Sequence, residues 1–474
     1  MSNFTNTIYY GDNLVILKEL TKKYPQGLID LIYIDPPFNS NRNYNMLFED
    51  LIANKENGEK NTALKEAFKD TWSNVELSYE LEELKSYADN VNIYNFLQSN
   101  RHIFTSSQMS YLTMMAHRIY YMHKLLNDTG SFYLHCDPTM SHYLKILLDI
   151  IFGLKNFRNE IVWCYTGPGS PGMRQFNRKH DIIFWYSKGN EWTFNGEDVR
   201  LPYKGGKPHS GGFTEKDGGR LNPDEYTVGK IPETWWSGIA ITARSKNQYL
   251  GYPTQKPEAL LERIVKASSK EGDIVADFFC GCGTALTVAE KLNRKWLGVD
   301  INHLAISLVE EKRLKPLGSK YQVIGFPKDQ ASVEKLAQDD KHKFEEWVVE
   351  YLFKGHKTKK TGDGGIDGHI VYSMGNKKIR AVIEVKGGDV KIDQIRAFKN
   401  RITEFNADFG IFVGFKKQFT KGMYKEADRL GFLDIEGSLF HFGSVKKMYI
   451  ITIEDLLEDK LPQEIKGLSV NITY

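Results

Sequence analysis

A chain of 474 residues is too long for one hydrophobic core, and its 41% hydrophobic content suffices for two or three. Lys and Arg number 63 against 60 Asp and Glu, a net +3 that neither advertises nor excludes a nucleic-acid partner, so any basic surface must be local. Cys136, Cys164, Cys280 and Cys282 are too scattered for a disulfide framework or a structural zinc site, and there is neither a signal-like start nor an apolar run of about 18 residues. These features predict a soluble cytoplasmic protein without a membrane role.

In chain order, a β-rich segment ends in Leu31-Ile32-Tyr33-Ile34, and Asp35-Pro36-Pro37-Phe38 follows. Two consecutive prolines stop both helix and ladder, so these residues form a loop at a strand's C-terminal edge. A charge-rich helical pattern runs from about Leu47 to Leu126, and Gly130 to His135 reads as a buried strand. From about Asn156 to Gly251 the pattern is irregular, rich in Gly, Pro and Trp and mildly basic, which suggests a loop-rich insertion over 156–250. A helix from Pro257 to about Ser269, a strand Ile274 to Phe279, a helix Ala285 to Leu292 and a strand Trp296 to Asp300 then make a βαβ unit. Periodicity weakens around Lys315 to Gln330, and a helix Phe344 to Leu352 opens a second αβ pattern. The expected domains are therefore 1–325 and 326–474, without internal repeats.

In Asp277-Phe278-Phe279-Cys280-Gly281-Cys282-Gly283-Thr284 a strand ends, two glycines turn the chain and a helix begins. Glycine lets backbone approach a ligand that a Cβ would push away. A Gly-x-Gly turn is also a common structural device, but Asp300 closes the next strand, where a carboxylate can accept both hydroxyls of a ribose. A dinucleotide site prefers a third glycine where this chain has Leu286. S-adenosylmethionine has no pyrophosphate and does not require it. Cys280 and Cys282 read as small buried residues of the turn.

The catalytic chemistry reads from Asp35 onward. Adenine's exocyclic amine is a poor nucleophile because its lone pair is delocalised into the ring. Acceptors aimed at its two protons draw the lone pair out of conjugation. The Asp35 carboxylate and the Pro36 carbonyl can supply them, Pro36 and Pro37 stiffen the loop, and Phe38 offers a ring for stacking. Direct displacement follows, with Asp35 taking or relaying the released proton. The base must leave the duplex to reach such a loop, which costs a few kcal/mol.

With these motifs in place the chain resembles the β class of amino-methyltransferases acting on DNA, in which the catalytic motif precedes the cofactor motif and a target-recognition region lies between. Asp35 to Phe38 resembles the catalytic motif, and Asp277 to Thr284 the cofactor motif. Gly251 to Pro257 is similar to the segment packed beside the methionine part of the cofactor, and Gly11-Asp12-Asn13 to the turn near its adenine. Further similarity runs through Phe68 to Trp72, Leu134 to Pro138 and Asn159 to Trp163, so the resemblance covers residues 8 to 310. It implies a Rossmann-like α/β methyltransferase that binds double-stranded DNA, with a homodimer open to it. Asp12, Thr254, Lys256, Asp277, Phe279, Gly281, Gly283, Thr284 and Asp300 would hold S-adenosylmethionine. The leading Asp favours adenine N6, with cytosine N4 as the alternative. Phe278 departs from the family's usual proline.

The C-terminal region carries Gly362 to Gly368 leading into one strand and Ala381 to Gly388 forming another. Strand alternation puts Glu384 and Lys386 on one face. Asp367 and Glu384 around a hard cation such as Mg²⁺, with Lys386 beside them, suit phosphodiester hydrolysis. This is similar to the Mrr-like branch of the PD-(D/E)xK nuclease fold, with Glu345 or Glu346 and the strand Phe409 to Phe415 in the expected places. It implies an α/β nuclease-like domain that cleaves DNA or serves as a binding platform. The readings left open are a fused restriction endonuclease whose first half mainly recognises DNA, and methylation of RNA or protein.

Overall fold

The computed structural model describes residues 4–37, 74–87, 91–167, 174, 176–202, 229–242, 248–250, 252, 254–327, 329–353, 355–358, 365–374, 377–433, 445–466 and 469–470. The chain forms two compact units, and among the described residues the first ends at Ile324 and the second begins at Gly325.

The first unit is built on nine strands: β1 (Thr7–Tyr10), β2 (Ile29–Ile34), β3 (Leu126–Cys136), β4 (Phe157–Cys164), β5 (His180–Ser187), β6 (Trp235–Trp236), β7 (Ile274–Asp277), β8 (Lys295–Asp300) and β9 (Gln322–Ile324). Their spatial order is β6-β4-β5-β3-β2-β7-β8-β1-β9. β5 runs antiparallel to both β3 and β4, while the pairings from β3 through β9 and between β4 and β6 are parallel. Strands of a parallel sheet are covered on both faces and so read as apolar runs rather than alternations. β2 behaves this way, with Leu31, Ile32 and Ile34 fully buried.

Helices Asn13–Lys23, Ser106–Leu125, Ser141–Phe152 and Glu258–Ser268 bury apolar stripes in this unit. The longest is set by a capping box in which Thr105 and Gln108 satisfy each other's backbone amides. Phe278, expected as a departure from the family pattern, is fully buried and continues the core.

Chain connections diverge between β2 and β7. From β2 the chain moves outward to β3, and from β7 it moves the other way to β8. In an open parallel sheet the loops at such a switch point part and leave a crevice at the strands' C-terminal edge. The segment after Ile34 and the turn after Asp277 therefore open on the same edge, as the catalytic reading requires.

The span expected to be a loop-rich insertion from 156 is different at its start. β4 and β5 belong to the main sheet, because Ile161, Trp163 and the run Ile182 to Tyr186 are buried against β3 and its neighbours. The apolar runs are short, and their surroundings rich in Gly and Pro masked them as strands. No helix among the described residues is long and apolar enough to cross a membrane.

The second unit has a sheet of β10 (His356–Lys357), β11 (Gly368–Met374), β12 (Lys377–Lys386), β13 (Phe409–Gly414) and β14 (Met448–Thr452) in that order, with β15 (Ser469–Val470) pairing β11. β11 and β12 are antiparallel, and β12, β13 and β14 are parallel. Helix Ile392–Glu404 buries Ile395, Phe398 and Ile402 in this unit's core with Val382 and Phe412. The helix expected from Phe344 starts earlier, at Lys341, because Asp340 caps it; residues Trp347–Leu352 then continue as a π-helix.

Candidate active sites

At the crevice, Asp35 follows β2 directly and is only 15% exposed. Its Oδ2 receives the ammonium of Lys256, which is itself 12% exposed. Its Oδ1 is buried and accepts no hydrogen bond among the described residues. A buried acceptor left open costs about 1–3 kcal/mol, so this oxygen is suited to a donor that arrives with a ligand. Pro36 and Pro37 follow as expected, and Phe38 lies outside the described residues.

The adjoining turn is held from several sides. The Phe279 amide donates to Asp277 Oδ1 at 3.0 Å, and the Cys280 amide to the Val299 carbonyl at 3.0 Å. Burial, ahead of the charges of Asp35 and Asp300, pushes the Asp277 carboxyl well above its ordinary range. Gly281 and Gly283 both adopt positive φ, +47° and +71°, and a Cβ on Gly283 would stand 2.7 Å from the Val309 side chain. Helix Thr284–Lys291 starts immediately after, so its free amides face the turn.

Asp300, at the end of β8, accepts the Gly281 amide at 2.8 Å through Oδ2 and the Asn302 amide at 2.8 Å through Oδ1. The Gly11 amide donates to its carbonyl at 3.0 Å, which draws the turn after β1 to the same edge. Asp12 caps helix Asn13–Lys23 and pairs with Arg118 at 3.1 Å. Lys256, expected beside the cofactor, directs its ammonium to Asp35, while its carbonyl accepts the Thr284 hydroxyl at 3.3 Å. Thr254 offers its carbonyl to the same ammonium at 3.4 Å.

Several residues of this site carried no signal of their own in the sequence. Arg118 is buried and holds Asn13 Oδ1 at 2.5 Å, and Asn13 in turn donates to the Phe278 carbonyl at 2.7 Å. Arg313, 6% exposed, donates to the Cys282 carbonyl at 2.8 Å and to Glu258 at 2.9 Å. Tyr252, within the segment expected beside the cofactor, places its ring 3.2 Å from where a Gly281 Cβ would be. The two arginines come from segments far from the glycine turn in sequence.

In the second unit, Asp367, Glu384 and Lys386 line one cleft of about 460 Å³ with Lys341, Lys391 and Arg401. Asp367 accepts the Val385 amide at 2.7 Å. Burial first, then the neighbouring charges of Glu345 and Glu384, hold its carboxyl up at about 6. Glu384 is 2% exposed; Lys386 lies 3.0 Å from its Oε1 and Arg401 2.6 Å from its Oε2. Glu345, on the preceding helix, is buried and meets Lys341, His342 and Lys357 at 3.3–3.9 Å. Glu346 sits on the same helix. Both predicted carboxylates and the lysine thus come together, and Arg401 joins them from helix Ile392–Glu404.

Comparison with known proteins finds relatives of both parts of the chain. Residues 29–311 match the family described as "DNA methylase", and residues 336–436 match the family described as "Restriction endonuclease". The chain is 27% identical over 301 residues to the DNA adenine methyltransferase YhdJ of Escherichia coli (strain K12), covering 63% of this chain and 80% of that protein. It is 32% identical over 191 residues to the type II methyltransferase M.HpaI of Haemophilus parainfluenzae, covering 40% of this chain and 55% of that relative. The PvuII cytosine-N4-specific DNA methyltransferase is a looser structural neighbour, 15% identical with a TM-score of 0.39, covering 69% of this chain and 97% of that one. The chain belongs to the DNA methylase family and carries, C-terminal to that part, a restriction-endonuclease domain of the Mrr type.

Proposed function

We propose that the first unit transfers a methyl group from S-adenosylmethionine to the N6 amine of adenine in double-stranded DNA. The observation that carries this reading is Asp35 Oδ1, a buried acceptor without a partner among the described residues, at the same sheet edge as the glycine turn. The likeness to a DNA adenine methyltransferase supports adenine over cytosine as the target.

The residues around the turn fit such a cofactor. Gly281 and Gly283 take the positive φ that turns the chain sharply between Tyr252 and Val309, and Asp300 presents a carboxylate at the end of β8 for a diol. Asp12, Thr254, Lys256, Asp277, Phe279 and Thr284 surround this edge. When bound, the cofactor supplies an electrophilic methyl group. Asp35 Oδ1 and the Pro36 carbonyl accept hydrogen bonds from the amine's two N–H groups, which draws the nitrogen lone pair out of the ring for attack. Lys256 holds Asp35 Oδ2 and so fixes the direction of the other oxygen. As the nitrogen gains positive charge, the Asp35 carboxylate stabilises it and then takes the proton that must leave.

The target-recognition role falls to the part of 156–250 outside β4 and β5, where side chains would read base edges. Incubation with duplex DNA and labelled S-adenosylmethionine tests the reading: wild type should incorporate label and Asp35→Ala should not. Incorporation that persists in Asp35→Ala would remove the mechanism.

For the second unit we infer metal-dependent DNA cleavage. Asp367 and Glu384 line one cleft with Lys386, and two carboxylates beside a lysine are a donor set that fits a hard cation. They would hold Mg²⁺, which polarises the phosphate and activates water, while Lys386 stabilises charge. Cutting of DNA that requires the cation and vanishes in Asp367→Ala and Lys386→Ala supports this reading. Absence of cutting on DNA of every methylation state would leave a binding module.

A further inference from the structure

Arg313 is 6% exposed and meets three separate segments beside the crevice. Its Nε donates to the Cys282 carbonyl inside the glycine turn at 2.8 Å, and its Nη1 donates to Glu258 Oε1 at 2.9 Å. Its Nη2 donates to the Thr284 hydroxyl at 3.3 Å. A planar guanidinium presents its donors in a fixed fork, so these three partners are held in one mutual geometry.

The helix that carries Arg313 packs directly on the turn. Residues His303–Val309 form an α-helix that continues as a π-helix over Glu310–Leu314. A π turn widens the helix and re-aims the side chains on it, and such turns are frequent at functional sites. Immediately before it, Val309 lies so close to the turn that a Cβ on Gly283 would stand 2.7 Å from its side chain.

The direction of the hydrogen bonds tells what this arrangement holds in place. A guanidinium can only donate, so the Thr284 oxygen accepts from Arg313 and its own hydrogen is left for another acceptor. That acceptor is the Lys256 carbonyl, 3.3 Å away. Glu258, two residues further along, is held by the same guanidinium and by Lys291 at 2.6 Å. The backbone around Lys256 is therefore tied to the glycine turn through its own carbonyl and through Glu258, while the Lys256 ammonium holds Asp35 Oδ2. A continuous series of polar contacts runs from Arg313 through Thr284 and Lys256 to Asp35.

We propose that Arg313 is a positioning residue for methyl transfer, fixing the Lys256 segment against the glycine turn and so setting where Asp35 points relative to the cofactor. The inference rests on the methyl-transfer reading of Asp35. The effect of Arg313 on the reaction passes through Lys256.

The test measures kcat at saturating S-adenosylmethionine for wild type, Arg313→Lys, Lys256→Met and the double variant. Lysine keeps the charge but cannot serve the carbonyl, the carboxylate and the hydroxyl at once. Arg313→Lys should lower kcat at least fivefold. The double variant should stay within threefold of Lys256→Met, whereas an independent structural defect would multiply the two losses. A smaller fall in Arg313→Lys, or a double variant more than threefold below Lys256→Met, overturns the proposal.

The Thr284 hydroxyl gives a second measurement that leaves the buried charge in place. Thr284→Ser keeps the hydroxyl and loses the methyl group, and Thr284→Val keeps the shape and loses the hydroxyl. The valine variant should have a kcat at least fivefold below the serine variant, since packing alone would favour valine. Should Arg313→Lys not fold, this pair decides, and a smaller gap or the reverse order overturns the proposal. A wild type that transfers no methyl group removes the methyl-transfer reading and this inference together, whereas any of these failures in an active enzyme removes the inference alone.

Discussion

Lys256 and Asp35 form an ion pair across 221 residues of sequence, and the pair joins the segment before helix Glu258–Ser268 to the loop after β2. Both groups are largely removed from water, where a charge left without its partner is costly. The pairing ties the placement of the carboxylate proposed as catalytic to the same segment whose Lys256 carbonyl meets Thr284 after the glycine turn.

Lys256→Met should therefore lower methyl transfer at least tenfold by releasing Asp35 Oδ2, and Lys256→Arg should restore part of it, since a guanidinium keeps the charge with altered geometry. Initial rates at saturating S-adenosylmethionine measure this. A methionine variant within twofold of wild type would show that the pair serves packing alone.

Gly283→Ala tests the turn. The position combines φ of +71° with a Cβ site 2.7 Å from Val309, so alanine adds strain on the order of 1–3 kcal/mol and pushes on the loop. Affinity for S-adenosylmethionine should fall about tenfold or more, one decade per 1.4 kcal/mol. Gly153→Ala is the control: its φ is +84° with nothing within 4 Å, so it should cost stability and leave cofactor titrations unchanged.

Acid sensitivity of the first unit should come in part from His117. Burial pushes this imidazole down to about 4; its Nδ1 meets the Tyr87 hydroxyl at 2.6 Å and its Nε2 the Glu80 carbonyl at 3.0 Å. A base whose folded pKa is depressed binds fewer protons folded than unfolded. Its contribution is thus whole above about pH 6.5 and is lost as pH falls toward 4, up to roughly 3 kcal/mol. Melting temperature against pH should be flatter in His117→Gln, which cannot take the proton. An unchanged slope would remove His117 from the acid response.

The sequence made the crevice legible where its chemistry is written in contiguous residues. Consecutive prolines after Ile34 and two glycines after Asp277 act through backbone geometry, so their meaning survives without knowing any neighbour. Arg118 and Arg313 act only through partners that folding brings together. Arg313 sits 31 residues from the carbonyl it holds. A buried arginine in isolation reads like any other. β4 and β5 were obscured for a related reason: their apolar runs identify buried chain, yet only pairing with β3 assigns them to the main sheet.

In the second unit the pattern Asp367, Glu384, Lys386 was legible, but Arg401 was not, and it changes what the site does before a cation arrives. Its guanidinium donates to Glu384 Oε2 and also to the Gly365 carbonyl, while Lys386 occupies Oε1. Both oxygens of the carboxylate proposed to hold a cation are thus held by positive groups, and cation binding would displace at least one of them. Removing the longer-reaching competitor in Arg401→Ala should strengthen Mn²⁺ binding, read by calorimetry without any DNA, by about threefold to tenfold. Glu384→Gln should abolish that binding, since an amide oxygen is a far weaker ligand for a hard cation. If Arg401→Ala instead weakens Mn²⁺ binding, the guanidinium helps build the site rather than competing for it, and its role shifts toward holding the Gly365 turn in place.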